Sequence, residues 1–276
     1  MNRGVTRINP PPGGMFVEFE RMSAIRVIQF TDPHLFGDAA GTLRGVNTAE
    51  TLERALSDAS GHVAFCDAIL VTGDLVQDDA GGYEHFRRVF ARFGKPVLCI
   101  PGNHDLVPEM RAALQGRPFE LDGPADIGAW RVVLLDSVVP NQAGGHISVE
   151  QLTKLDEELG MARQRHALVC LHHHPVAMQS RWLDNVGLAN ANEFWSVIDS
   201  HPQVRAVVWG HVHQAFEGTR RGVRLLATPS TCAQFQPRSD QFVIDGLPPA
   251  YRLLTLHSNG AIDTGVHFLT AAESAA

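Results

Sequence analysis

Apolar and polar positions change period several times along the chain. The run AIRVIQF (24–30) is short and almost continuously apolar, which predicts a buried strand. Helical spacing follows. Leu52, Ala55, Leu56 and Ala59 recur on one face, Asn47 is placed to cap, and Glu50 stands three residues after it. That predicts a helix over 48–59. The same alternation continues. Strands are expected at 68–71, 96–100, 130–135, 167–171 and 204–209. Helices are expected at 83–93, at 149–159 behind a Ser148/Gln151 capping box, and up to Ser200 behind Asn190 or Asn192. The last third reads as β: 223–228, 251–257 and 264–269. Strands alternating with helices imply βα units, an α/β class with sheets covered by helices. The stretches 178–192 and 234–249 follow neither period. They are candidate substrate loops or ordinary surface loops.

Composition narrows this picture. The chain has 276 residues and 44% hydrophobic content, enough for a sizeable core in one domain. No apolar run approaches the roughly 18 residues of a membrane helix. The first 22 residues are rich in Pro and Gly and lack a secretory apolar core. They read as a disordered leader ahead of a domain at 23–276, ordered from about Ile25, with Met15 and Met22 as alternative starts. Cys66, Cys99, Cys170 and Cys232 form no C-x-x-C pair, and Cys99 and Cys170 sit in apolar runs. Free thiols in a reducing, cytoplasmic compartment are expected. The net charge of −7 argues against a broad basic nucleic-acid surface. It does not exclude a phosphate substrate, because a bound metal supplies local positive charge.

The chemistry gathers at the strand ends. The first strand ends in Asp32-Pro-His34, the second in Gly73-Asp74, and the third in Gly102-Asn103-His104-Asp105. The fifth ends in His172-His173-His174-Pro175 and the sixth in Gly210-His211-Val212-His213. Ligands bind at the carboxyl edge of open α/β sheets. Each motif alone is weak: Gly-Asp is usually a turn, and a single histidine is usually a satisfied core or surface residue. His62, His85, His166, His201, His257 and His267 are read that way. Five such motifs in order, each after a strand, exceed what packing requires.

Two carboxylates, an amide oxygen and several imidazoles with no thiolate suit Mn, Fe or Zn more than Ca. A pair of metals needs a bridging ligand, and a carboxylate supplies one. Two divalent ions against two aspartates and a hydroxide leave the site positive by about one charge, which attracts a phosphodiester monoanion. A third Asp would cancel that charge where the neutral Asn103 preserves it.

The set resembles the binuclear metallophosphoesterase superfamily. Within it, the chain is similar to the class III bacterial 3′,5′-cyclic AMP phosphodiesterases, through TDPHLF, LRGVNTAE, VTGDLVQD, IPGNHD, LHHHP, WLDN, WGHVHQ and LLATPSTCAQF, between about Gln29 and Val266. The resemblance implies a four-layer α/β/β/α sandwich with two central mixed sheets. It implies that Asp32, His34 and His213 hold one metal, that Asn103, His173 and His211 hold the other, and that Asp74 bridges. His173 is picked because the family's ligand precedes proline by two positions, which leaves His172 and His174 beside the site. His104 is implied to contact the phosphate and to protonate the leaving oxygen. Asn103, His174 and His213 are further candidates to touch substrate. The implied cofactors are two divalent ions, Fe and/or Mn, with Zn as a further option. The implied reaction is opening of the cyclic diester to the 5′-monophosphate by a hydroxide that the metals activate. The implied partner is a cyclic nucleotide, with no nucleic acid or membrane, and a homodimer is compatible. Trp182, Asp184, Asn185 and Asn190 are candidates for the base. Two other readings stand beside this one. The first is a related phosphoesterase for a glycerophosphodiester or a monoester. The second is a binding scaffold without catalysis, against which the complete motif set argues.

Overall fold

The computed structural model describes residues 24–121 and 123–270. The leader expected over 1–22, with Met15 and Met22, lies outside the described residues.

Chain order begins with β1 (Ile25–Phe30), the short ribbon β2 (Thr42–Leu43) and β3 (Val46–Asn47), helix α1 (Thr48–Asp58) and the single turn α2 (Ser60–Val63). Then come β4 (Ala68–Thr72), α3 (Gly82–Ala91), β5 (Val97–Ile100), α4 (Val107–Ala113) and β6 (Phe119–Glu120). The second half runs β7 (Gly123–Ile127), β8 (Trp130–Leu134), α5 (Val149–Met161), β9 (His166–Cys170), α6 (Arg181–Asp184), α7 (Ala191–Asp199) and β10 (Val204–Trp209). It closes with β11 (Phe216–Arg220), β12 (Val223–Ala227), the ribbon β13 (Gln234–Phe235) and β14 (Ile244–Asp245), then β15 (Ala250–Leu256) and β16 (Ile262–Phe268).

Two six-stranded sheets result, ordered β16-β15-β1-β4-β5-β6 and β11-β12-β10-β9-β8-β7. Both are mixed. β1, β4, β5 and β6 run parallel, as do β8, β9, β10 and β12, while β7, β11, β15 and β16 pair antiparallel. Both faces of each sheet are covered. Val27, Leu70 and Leu98 meet Val132, Leu168 and Val208 between the sheets. Phe30, Val71 and Cys99 pack outward on Leu52, Leu56, Phe86 and Phe90. Val169, Val207 and Trp209 pack outward on Leu155, Leu159, Phe194 and Ile198. This is the expected α/β/β/α order. It explains why the central strands are continuously apolar, since each has two buried faces.

Local signals hold where the chain supplies its own partner. Asn47 Oδ1 accepts from Glu50 N at 2.9 Å and caps α1. Ser148 Oγ accepts from Gln151 N at 3.2 Å. The Gln151 side chain, however, turns to the Asp136 backbone at 2.7 and 2.9 Å, so only half of the expected capping box forms. Asn190 precedes α7 without capping it and instead ties to Ile147 N and O at 3.0 and 2.9 Å. β7 and β11 were not foreseen. Their sequences, GPADI and FEGTR, carry little apolar signal, and as edge strands they take order from β8 and β12.

Candidate metal centre

The carboxyl ends of β1, β4, β5, β9 and β10 open on one edge, where the two sheets meet. Five of the predicted side chains lie on backbone at positive φ: Asp32 (52°), His34 (48°), Asp74 (50°), His211 (67°) and His213 (47°). Left-handed backbone is costly for residues other than glycine, and such strain gathers at functional sites. It turns each side chain off its strand and into the gap between the sheets. Gly73 (φ 97°) adds a second constraint, because a Cβ there would collide with the His172 ring.

Three trios of ligand atoms converge: Asp32, His34 and His213; His34, Asp74 and His104; and Asp74, His172 and His211, with the atoms of each trio within 4.8 Å of one another. Asp74 belongs to two of them, as a bridging carboxylate would. His34 Nε2 faces His213 Nε2 at 3.2 Å and Asp74 Oδ2 at 3.7 Å. His213 Nε2 lies 3.4 Å from Asp32 Oδ1. His213 Nδ1–H donates to Ala233 O at 2.6 Å, which orients the ring with Nε2 toward the centre.

Within the histidine triple the expectation names His173, and the structure brings His172 into a trio with Asp74 and His211. His172 Nδ1–H donates to Thr72 O at 2.7 Å, and its Nε2 meets Asp74 Oδ2 and Asn103 Oδ1, each at 3.3 Å. His173 joins none of the trios. Its Nδ1 hydrogen-bonds Ser137 Oγ at 2.8 Å, and Gly145 packs on its ring. The His173 ring lies 5.1 Å from that of His172 and 4.7 Å from that of His211, and its Nε2 is buried without a hydrogen-bond partner. His174 is buried and stacks on His211 at 5.7 Å, with Asp184 Oδ1 3.8 Å from its Nε2.

The charges suit a cation. Burial opposes ionisation of Asp32 and Asp74, but His213 and His172 hold Asp32 below the usual carboxylate range, and His172 and His34 hold Asp74 well below it. Burial brings His34 down to about 4 and, with the neighbouring imidazoles, takes His211 well below its ordinary value. Those rings are neutral, and His34 Nδ1 and His211 Nε2 are buried without a hydrogen-bond partner. Burial also works against charge on His172, yet Asp74 and Asp32 win and push it up to about 9. With Nδ1 committed to Thr72, its Nε2 faces carboxylate and amide oxygens that attract only a proton or a metal. Carboxylates, lone-pair nitrogens and an amide oxygen around shared space fit divalent ions.

Supporting residues were less visible in the sequence. Asp105, named only as part of a motif, accepts from the backbone N–H of Gly102 (2.8 Å), Leu75 (3.0 Å) and Val76 (3.3 Å) and from Tyr83 Oη (2.9 Å). It clamps the Asp74 and Asn103 loops together. His104 sits half-exposed at the rim, Nδ1 3.0 Å from Asp78 Oδ2 and 2.8 Å from Gln77 Nε2. Phe235 stacks on His213 at 4.0 Å and 8°. Asp78 and Phe235 close the quoted motifs VTGDLVQD and LLATPSTCAQF, but neither is singled out as a candidate there.

Comparison with known proteins agrees. Residues 25–215 match the calcineurin-like phosphoesterase family. The 3′,5′-cyclic adenosine monophosphate phosphodiesterase CpdA of Pseudomonas aeruginosa is 40% identical over 88% of this chain and 90% of its own. That of Escherichia coli K12 is 41% identical over 89% and 90%. A dimetal phosphatase from Danio rerio, 15% identical, shares the fold with a TM-score of 0.63 over 87% of this chain and 98% of that one. Strained strand ends that bring acidic and imidazole groups together in a set that fits divalent ions, and a family match over residues 25–215, place this chain in the calcineurin-like phosphoesterase family.

Proposed function

We propose that the protein hydrolyses 3′,5′-cyclic AMP to 5′-AMP at a pair of divalent ions. The observation that carries the reading is Asp74, shared by two ligand trios. The relatives named as cyclic AMP phosphodiesterases, alike along nine-tenths of the chain, supply the substrate. Asp32, His34 and His213 would hold one ion, and Asn103, His172 and His211 the other, with Asp74 between them. Bound there, such ions supply Lewis acidity to the phosphate oxygens and acidify the attacking water.

The chain's own groups do the rest. A ring nitrogen of His104 lies within 4.8 Å of the ligand atoms of His34 and Asp74. Asp78 Oδ2 and Gln77 Nε2 both meet His104 Nδ1 and so orient the ring, which leaves Nε2 to deliver a proton to the departing 3′ oxygen. Neutral Asn103 keeps the centre positive toward a diester monoanion. The family resemblance points to Fe and Mn as the metals, and the N/O donor set accepts Zn as well. All four cysteines are free and buried, which fits a cytoplasmic protein. Among the described residues no helix is long and apolar enough to cross a membrane. One domain formed by the described residues, with a homodimer compatible, completes the reading.

Incubation with cyclic AMP and Mn²⁺ should yield 5′-AMP; its absence overturns the proposal. Glycerophosphocholine or a monoester turned over more than tenfold faster than cyclic AMP would select the other phosphoesterase reading.

A further inference from the structure

Three loops outside the ligand set meet beside the centre, and each contributes a ring or a cation. Phe235 closes β13 and lies flat on His213. Trp182 of α6 meets the Phe235 ring at 5.4 Å and the Phe242 ring at 5.2 Å, and Phe235 meets Phe242 at 5.1 Å. All three contacts are edge-to-face. Arg44, at the tip of the β2–β3 hairpin, holds its guanidinium 4.9 Å from the Phe242 ring. That tip is a two-residue turn with both central residues at positive φ, Arg44 (53°) and Gly45 (82°). Such a turn fixes the direction of its side chain. Arg181 pairs with Asp240 at 3.0 Å and ties α6 to the third loop.

Three features of this cluster are not accounted for by packing. Phe242 is 40% exposed and begins an exposed apolar run with Val243 and Ile244, where contiguous apolar surface usually marks a contact site. Arg44 has no carboxylate partner among the described residues, although the protein is acidic. Trp182 Nε1 and Gln214 Nε2, the latter on the residue after His213, are buried N–H donors with no acceptor. A stacking face, a free cation and idle donors one ring beyond a metal-side imidazole match a flat heterocycle that bears ring-nitrogen acceptors and hangs from a phosphate.

We infer that Trp182, Phe242 and Arg44 form the platform that takes the purine base of the substrate. The inference rests on the proposed cyclic-nucleotide activity and deepens it. The phosphate lies over the Asp74 centre, the ribose spans His213 and Phe235, and the base stacks on the outer aromatic rings. A glycerophosphodiester has nothing to place there, so the platform selects nucleotides over aliphatic diesters that the centre alone would accept.

The test compares cyclic AMP with abasic ribose 3′,5′-cyclic phosphate in the metal-loaded enzyme. Wild type should favour cyclic AMP, and Phe242→Ala and Trp182→Ala should each cut that preference about tenfold or more, the scale of one lost base–aromatic stack. Equal losses on both substrates would assign the cluster a structural role and overturn the inference. A second readout needs no turnover: 5′-AMP should quench tryptophan fluorescence in wild type and not in Trp182→Phe. Quenching that survives in Trp182→Phe also overturns it. If wild type cleaves neither substrate but the Trp182-dependent quench is present, the base platform stands and the proposed reaction fails; if both are absent, both fail.

Discussion

His172 Nε2 lies 3.3 Å from Asp74 Oδ2, across the seam between the two sheets, while Nδ1 of His173, one residue on, bonds Ser137 Oγ at 2.8 Å. His172→Ala should therefore lower metal affinity by more than the roughly 10–100-fold typical of a residue that only orients a ligand. His173→Ala should stay within that range, because it acts through packing beside His211. Metal titration of the two variants ranks them, and the reverse ranking would return the ligand to His173.

His104→Ala should keep its metal and lose about 10²–10⁴-fold in kcat, the usual worth of a positioned proton donor. The loss should shrink on a diester with a 4-nitrophenolate leaving group, which departs without a proton. Asp78→Asn should lower kcat less than His104→Ala, since it acts by orienting the ring. Metal loss in His104→Ala equal to that in His172→Ala would make it a ligand.

In the metal-free protein, Asp74 and Asp32 outweigh burial and raise His172 to about 9 from an ordinary value of 6.5. A metal ion must displace that proton. Affinity should rise with pH, about tenfold per unit for one proton, and level off above about 9. Stability of the metal-free protein should run the other way. The folded state binds the extra proton, so the contribution of His172 is full below 6.5 and is lost as pH rises through about 9. Calorimetric titration in buffers of different ionisation enthalpy should count about one released proton from this group near pH 7. A pH-independent affinity would contradict it.

Tyr83 donates to Asp105 Oδ1 at 2.9 Å and accepts from Leu106 N at 2.8 Å, fully inside the protein. Tyr83→Phe leaves a buried acceptor and a donor short of a partner. It should cost about 1–3 kcal/mol in urea unfolding and loosen the clamp on the Asp74 and Asn103 loops. An unchanged midpoint would show that water replaces the hydroxyl.

The central strands and the main helices were legible because their signals are local. Continuous apolar runs such as 68–71 report two buried faces, and Leu52, Ala55 and Leu56 report one helical stripe. Asn47 caps from its own position. Asp32, His34, Asp74, Asn103, His211 and His213 were legible for a related reason: each follows a strand, and parallel strands present their carboxyl ends on one edge. The edge strands β7 and β11 were not legible, because their order comes from a neighbouring strand rather than from their own composition.

The sequence by itself determined which residue types reach the edge and that their chemistry suits a metal-assisted attack on phosphate. It left the register of 172–174 to a motif count that points to His173, whereas the structure sets His172 Nε2 against Asp74. Tertiary structure decided that register: Thr72 O across the seam holds one face of His172, and Ser137 with Gly145 takes His173 on the other. It also decided that Asp105 clamps two loops, that Asp78 backs His104, and that Trp182 meets Phe235 and Phe242, residues more than fifty positions away in the chain. Such choices depend on steric exclusion and hydrogen-bond partners contributed by distant strands, and periodicity along one chain carries no record of them.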